Sequence, residues 1–323
     1  MTKKTILVVG GAGYIGSQVN KLLNQRGYHT VVFDNLSRGN KNAVIAGDFA
    51  LGDMANLADL ENVFHSYKIH AVMHFAAFTD VGESFIHPSR YYQNNVVNTL
   101  NLLNTMLQHH VKYFIFSSSA AIFGLPQEKS INEEHPTLPI NPYGHTKLMV
   151  ETILKDFDHA YGLKSCCLRY FNAAGGDPEG AIKSFKRKET NLIPLVLRSL
   201  QDPNGKITIY GIDYPTIDGT CIRDYIHVYD LSEAHITGME KLLAGTPSSF
   251  YNLGNGNGYS VREVIQAAEK VTGLPVNVVE GDRRPGDPSV LVANAQKAHK
   301  ELNWKPKYPD LEKMIQHAWQ AMK

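Results

Sequence analysis

Cysteine is scarce in this 323-residue chain, with three in all, at Cys166, Cys167 and Cys221. Three thiols make no disulfide framework, and their spacing matches no metal-binding pattern. The first two sit in an apolar run, where burial as small hydrophobes is expected. Long apolar runs are missing too, none approaching the ~20 residues a membrane helix needs. Charge of one sign is also absent: 32 Lys and Arg against 31 Asp and Glu leave a net +1. That balance offers no electrostatic footing for nucleic acid or an anionic membrane surface. The 14 His are scattered, with no His-Glu-x-x-His or comparable cluster. Internal repeats and low-complexity tracts are lacking. The charged start and brief apolar stretch of Met1–Gly10 are too short for a signal peptide and run straight into a glycine loop. The expectation is a cytoplasmic protein without metal, nucleic acid or membrane as partner.

What is present is ordinary globular material, 43% hydrophobic and 20% charged, enough for two domains or one large one. Strand candidates are Thr5–Val9, Thr30–Phe33, Ala71–Phe75, Tyr113–Ser117 and Lys164–Leu168. Helical patterns lie between them at Ile15–Gln25, Leu57–Tyr67 and Arg90–Gln108. This alternation predicts an α/β fold, a Rossmann-type doubly wound parallel sheet. Near Phe171 the texture changes, and Asn172–Lys188, rich in Gly, Pro and charge, reads as a long loop. Its Lys183, Lys186, Arg187 and Lys188 read as a solvated surface, with a pyrophosphate-facing role as the alternative. Residues 1–171 are expected to form a dinucleotide-binding domain. A smaller C-terminal α/β substrate domain over 172–323 should return some segments to the first.

The first strand leads into Gly10-Gly11-Ala12-Gly13-Tyr14-Ile15-Gly16-Ser17 and then a helix. Glycines there allow a tight turn and let the backbone approach a pyrophosphate resting on helix-terminal amides. Asp34 closes the second strand, where a carboxylate accepts adenosine ribose hydroxyls and repels a 2′-phosphate, so the expected cofactor is NAD. Arg38 and Lys41 lie close enough to keep NADP as an alternative. Asp53 either faces the adenine or caps the helix beginning near Asn56.

Tyr143 and Lys147 stand four residues apart at the start of a helical pattern and so share one face. A phenol with an ordinary pKa of about 10 needs about three units of depression, or ~4 kcal/mol, to act as a base near neutrality. One cation about 5 Å away supplies ~3 kcal/mol at an effective dielectric near 20. A second positive charge, such as an oxidised nicotinamide, would supply the rest, and the spacing draws its weight from Ser117-Ser118-Ser119 upstream and the N-terminal glycine loop.

Further stretches carry a family resemblance over nearly the whole chain. They include His74-Phe-Ala-Ala77, Val81-Gly-Glu-Ser84, Asn94-Asn-Val96, Ser117-Ser-Ser-Ala120, Pro142-Tyr-Gly144 and Arg169-Tyr-Phe-Asn172. In the second half they include Tyr210-Gly-Ile-Asp-Tyr-Pro-Thr216, Asp218-Gly-Thr220, Arg223-Asp-Tyr-Ile-His-Val228, Tyr251-Asn-Leu-Gly254 and Glu301-Leu-Asn-Trp304. The chain resembles the extended short-chain dehydrogenase/reductases and, within them, the UDP-glucose 4-epimerase family. The resemblance implies an isomerase acting on UDP-glucose and UDP-galactose through bound NAD, with Ser119, Tyr143 and Lys147 catalytic. It places Gly10, Gly13, Tyr14, Ile15, Gly16, Asp34, Asn35, Asp53 and Met54 on the cofactor. To these it adds Phe75, Ala76, Ala77, Asn94, Ser117, Tyr170 and the catalytic Tyr143 and Lys147. On the substrate it places Asn172, Asn191, Leu192, Thr208, Tyr210, Arg223, Arg284, Asp287 and Leu291, beside Ser119 and Tyr143. It also implies a homodimer through the Arg90–Gln108 and Tyr143–Tyr161 helices.

Structural readings stand beside these roles. Arg223 and Asp224 could form an ion pair, Tyr210 could be core, and Arg283–Asp287 could be only a turn. Three positions depart from the family pattern: Thr79-Asp80 where a Lys can occur, Ala121 where a Thr is frequent, and Leu291 where Tyr or Cys is frequent. A sugar-nucleotide dehydratase would need Asp-Glu after the catalytic serine, where this chain has Ala120-Ala121; a UDP-glucuronate decarboxylase would need a Glu there. The remaining alternatives are a 4-epimerase of another UDP-sugar, an N-acetylhexosamine or a pentose, and a non-enzymatic NAD sensor on the same fold.

Overall fold

The computed structural model describes residues 3–183, 190–284 and 287–323. Lys186, Arg187 and Lys188 of the expected surface loop, and Pro285 and Gly286 of the expected turn, lie outside the described residues.

The buried strand β1 (Thr5–Val9) feeds helix α1 (Tyr14–Gln25), followed by β2 (His29–Asp34) and β3 (Asp48–Leu51). Then come α2 (Leu57–Ser66), β4 (Ile69–His74), α3 (Val81–Ile86), α4 (Pro88–Tyr92) and α5 (Asn98–Gln108). β5 (Tyr113–Ser117), α6 (Pro142–Tyr161) and β6 (Lys164–Tyr170) complete the first run. Six of these strands and a later one form a seven-stranded sheet whose pairings are all parallel. Successive strand residues face opposite sides. Ile6 and Val8 therefore join a core with Val19 and Leu23 of α1, while Leu7 and Val9 join one with Leu102 of α5 and Val150 of α6. Burial on both faces explains why these strands read as unbroken apolar runs.

Strand order reverses between β1 and β4. Such a switch point opens a crevice at the carboxyl ends of the strands, here beside Gly10 and Phe75.

The elements differ from the sequence expectation in three places, and the first is a short strand, Asn172–Ala174, at the start of the expected loop 172–188. β3 is an edge strand, Asp-Phe-Ala-Leu, with partly exposed residues and no apolar run to signal it. The helix expected over 90–108 is interrupted by a π-helical turn at Gln93–Val97. The ends of several other elements shift by one or two residues.

Beyond Phe171 lie β7 (Asn172–Ala174), α7 (Leu192–Ser199), β8 (Ile207–Tyr210), β9 (Ile222–His227) and α8 (Val228–Leu243). After them come β10 (Ser249–Leu253), β11 (Gly258–Ser260), α9 (Val261–Thr272), β12 (Val278–Gly281), β13 (Val290–Leu291), α10 (Gln296–Glu301) and α11 (Leu311–Met322). β9 is the hub of a small second sheet, pairing with β7, β11 and β13, while β8 and β12 form a separate parallel ribbon. α7, α9 and α11 share a third core through Val196, Val264 and Met314. The chain then revisits the first sheet: β10 pairs with β6 at the edge, and α8 packs on α1, β5 and β6.

Candidate active site

The glycine loop forms a cradle because side chains cannot fit there. Gly10 has φ +77°, and a Cβ on it would lie 2.5 Å from the Ala76 nitrogen. A Cβ on Gly16 would lie 2.4 Å from the Gly10 carbonyl oxygen. The helix that follows has Gly13 as its N-cap, with no side-chain cap and no acidic residue in its first turn, a setting that favours a bound anion. Asp34 Oδ2 accepts from the Ala12 amide at 3.0 Å and Oδ1 from Leu36 at 2.8 Å. Burial pushes its pKa above the ordinary value, and these two donors hold it back.

Asp53 is not the cap of α2. Asn56 is, accepting from the Ala58 amide, while Asp53 Oδ2 accepts from Asn35 Nδ2 at 2.8 Å. Arg38 is engaged elsewhere, 3.1 Å from Glu83 and 5.5 Å from the Phe78 ring centre, and Lys41 lies over Phe49. In the π-turn, Asn94 donates to Asn95, and the Asn95 side chain holds the Phe78 amide at 2.9 Å and carbonyl at 3.0 Å. Such turns gather at functional sites; Asn95 falls within a stretch of the family resemblance, but its hold on Phe78 was not foreseen because no regular helix predicts the extra residue.

α6 begins at Pro142 behind an Asn141 cap whose side chain accepts from Gly144 N at 2.8 Å. Tyr143 and Lys147 therefore project from its first two turns, 9% and 5% exposed. Lys147 Nζ donates to the Ser117 carbonyl at 2.7 Å and lies 5.9 Å from the Tyr143 ring centre. The Ser119 hydroxyl accepts from the Ala121 amide at 3.1 Å and stands beside the Tyr143 phenol, and the hydroxyls of Ser117 and Tyr170 are hydrogen-bonded. The expected depression of the phenol is not found in the protein by itself. Burial raises the Tyr143 pKa, and the Ser119 hydroxyl opposes that rise. Burial also lowers Lys147 to about 7, against the pull of Glu151 and Cys167. Burial thus works against the charged form of both partners, and a further positive charge beside the phenol, such as an oxidised nicotinamide, would favour the phenolate.

All the cofactor residues expected from the sequence line one cavity of about 580 Å³. Ser119, Asn172, Asn191, Arg223, Asp287 and Leu291 line it as well, as do Thr79, Ala121 and Lys183. Leu192, Thr208, Tyr210 and Arg284 do not. Leu192 packs against the third core, Thr208 pairs with Val279 in the ribbon, and the Arg284 guanidinium lies 3.9 Å from the Tyr210 ring centre. Arg223 pairs with Asp287 rather than Asp224. Neighbouring strand residues point to opposite faces, and Asp224 is fully buried, accepting from Asn255, Gly256 and Ala293 amides.

The residues present fit a dinucleotide. The cradle excludes side chains, Asp34 keeps acceptor capacity, and Gln18 lines the same cavity with a buried, unpartnered Nε2. Among the described residues the group offering metal-type ligands (Glu61, His65 and His109) stands apart from this cavity.

Known proteins agree with this geometry. Residues 6–254 match the NAD dependent epimerase/dehydratase family. A protein of Halalkalibacterium halodurans named UDP-glucose 4-epimerase is 48% identical over 314 residues, covering 97% of this chain and 94% of that protein. The crystal structure of UDP-glucose 4-epimerase from Brucella ovis in complex with NAD superposes with a TM-score of 0.95 at 44% identity, over 98% of this chain and 97% of that one. UDP-glucose 4-epimerase from Bifidobacterium longum, in complex with NAD+ and UDP, gives 0.92 at 38% identity over 98% of each chain. The chain belongs to the NAD dependent epimerase/dehydratase family.

Proposed function

We propose that this protein interconverts UDP-glucose and UDP-galactose by transient oxidation at sugar C4. The observation that carries the reading is the convergence of Ser119, Tyr143 and Lys147 on one cavity, with Lys147 one turn beyond Tyr143 on the same helix. Ala120 and Ala121 follow Ser119, so no carboxylic acid stands there to drive elimination.

Bound NAD supplies the acceptor, and then the donor, of the C4 hydride. Tyr143 takes the O4 proton as the hydride leaves and gives it back when the hydride returns to the other face. Ser119 holds O4 throughout. Lys147 holds the nicotinamide ribose and lends charge to the phenol when protonated. Asn172 and Asn191 meet the sugar or phosphates, and Arg223 reaches the pyrophosphate by exchanging Asp287 for phosphate oxygens. Asp287 then serves the uridine ribose. Leu192, Thr208, Tyr210 and Arg284, outside the cavity as it stands, receive the uracil end and the outer phosphate. The diphosphate is held firmly, and the hexose is left free to turn over about its phosphate link.

The rest of the reading is that residues 1–171 mainly serve NAD and 172–323 mainly the UDP-sugar, in a cytoplasmic homodimer. Exposed Val97, Met149 and Tyr161 on the helices concerned support the dimer. Purified protein given UDP-galactose without added dinucleotide should form UDP-glucose, and no conversion defeats the reading. Denaturation should release NAD; mainly NADP would mean that Arg38 leaves Glu83.

A further inference from the structure

Ser117, Ser118 and Ser119 leave β5 with three different partners. Ser117 offers its carbonyl to Lys147 at 2.7 Å, and Ser119 stands beside Tyr143 on the cavity wall. The middle hydroxyl, on a residue 1% exposed, donates to Glu151 Oε1 at 2.5 Å. Glu151 lies one turn beyond Lys147 on the same face of α6. It is also clasped by Arg169 of β6, with Nε at 3.0 Å and Nη2 at 2.6 Å. The two side chains are 6% and 8% exposed, and Phe250 covers the guanidinium at 4.2 Å. None of Ser118, Glu151 and Arg169 lines the cavity. A buried ion pair is weak evidence for stability, because desolvation offsets its attraction. A fixed geometry is the better reason to keep it.

We propose that Glu151, acting through Ser118, is a positioning residue that fixes the end of β5 against α6. It thereby sets the placement of Ser119, Tyr143 and Lys147. A hydroxyl held by a carboxylate that is itself held by a guanidinium has one orientation. The backbone on either side of that hydroxyl carries the carbonyl for Lys147 and the side chain for Tyr143. A slip of Ser118 therefore moves both contacts together.

The same arrangement bears on charge. Around Lys147 stand Tyr143 and Glu151 on its own helix, Cys167, Arg169 and Tyr170 on β6, and His74 on β4. Of these, Glu151 leads in favouring the protonated amine, with Cys167 second. Without the carboxylate, Lys147 loses its proton at lower pH, and the alkaline fall of the rate profile moves down.

The test rests on the proposed reaction for its rate readout and adds one that needs no turnover. Ser118→Ala should lower kcat roughly 10- to 100-fold, as for small misplacements of reacting groups, with KM and bound dinucleotide unchanged. Glu151→Gln should move the alkaline limb of kcat to lower pH. Because that change leaves Arg169 buried without its partner, Ser118→Ala decides the matter if Glu151→Gln does not fold. Ultraviolet difference titration against Tyr143→Phe reads the phenol directly, and its midpoint should rise in Ser118→Ala as the Ser119 hydroxyl moves away. A kcat within about two-fold of wild type together with an unmoved phenol overturns the proposal. So does a fall in kcat that only tracks lost dinucleotide. If wild type fails on UDP-galactose, the functional reading fails, and the phenol titration still decides this one.

Discussion

The cofactor side and the sugar-nucleotide side of the cavity are built on opposite plans. On the first, recognition elements are backbone and glycine within a few residues of a strand end, and nothing needs to move. Gly10 and Gly16 have no room for a side chain, and Asp34 is already oriented by two amides. On the second, the elements are long side chains brought from distant segments, each satisfied internally. Arg223 holds Asp287, Arg283 holds Asp213, and Arg284 rests on Tyr210. Arg283 and Asp213 are exposed, and such a pair contributes little, ~0–1 kcal/mol; Arg223 and Asp287 are more buried, and there phosphate oxygens would have to replace the carboxylate on the guanidinium. The difference teaches that one ligand is meant to stay and the other to leave.

That contrast can be tested from its centre outward. Tyr143→Phe should lower kcat by at least ~10²-fold, the lower end for losing a positioned acid–base group, while bound dinucleotide remains. Near wild-type turnover in a folded variant would end the proton role. Lys147→Ala should raise the acidic limb of the pH–rate profile. The phenol must be deprotonated to act, and removing a cation raises its pKa by about two units at most, taking ~3 kcal/mol as the full cation's effect. An unchanged limb would leave Lys147 only a ribose contact.

Gly16→Ala probes the plan of the cofactor side. Overpacking costs ~1–3 kcal/mol, so dinucleotide retention after gel filtration should weaken by roughly 10- to 200-fold. Full retention would show that the loop yields. On the other side, Arg223→Lys keeps charge and loses the fork, and the KM for UDP-galactose should rise about 10-fold, near one charged hydrogen bond. If KM holds and bound dinucleotide falls instead, the two sides are not separate.

The smallest effect concerns Leu291, which lines the cavity and packs beside Phe123 and Phe171. Apolar misfits cost ~1–3 kcal/mol, so UDP-glucose and UDP-galactose should be preferred over their N-acetyl forms by roughly 10- to 200-fold in kcat/KM. Leu291→Tyr should sharpen the preference and Leu291→Cys relax it. Identical ratios in both variants would assign the size limit to another wall.

Legibility in the sequence followed the same divide. The doubly wound sheet, the loop glycines, Asp34 and the Tyr143–Lys147 pair could be read because each signal is local: a period, a turn or a four-residue spacing. Glu151 repeats the Tyr143–Lys147 step once more and could have been found by extending it. Ser118 and Arg169 gave no such sign, since their partner is set by packing between β5, α6 and β6. Tyr210 and Arg284 were expected in the cavity but belong to the ribbon and its flank, a placement fixed by pairing across 70 residues of chain. The phenol went the other way from the spacing argument because burial penalises its charged form, and that of the lysine as well, a cost that no spacing reveals.

β10 gives the fold a particular order of assembly. Residues 249–253 form the last rung beside β6, whose Cys166, Cys167 and Leu168 are otherwise an apolar edge. During synthesis that edge waits for some eighty residues of chain to emerge, and a waiting edge is a template for pairing with other chains. Phe250 on the late strand covers Arg169, so the buried charge behind the serines is sealed from water only when the rung arrives. A ribosome stalled between the two strands therefore leaves a chain that carries every catalytic residue beside an uncovered sheet edge.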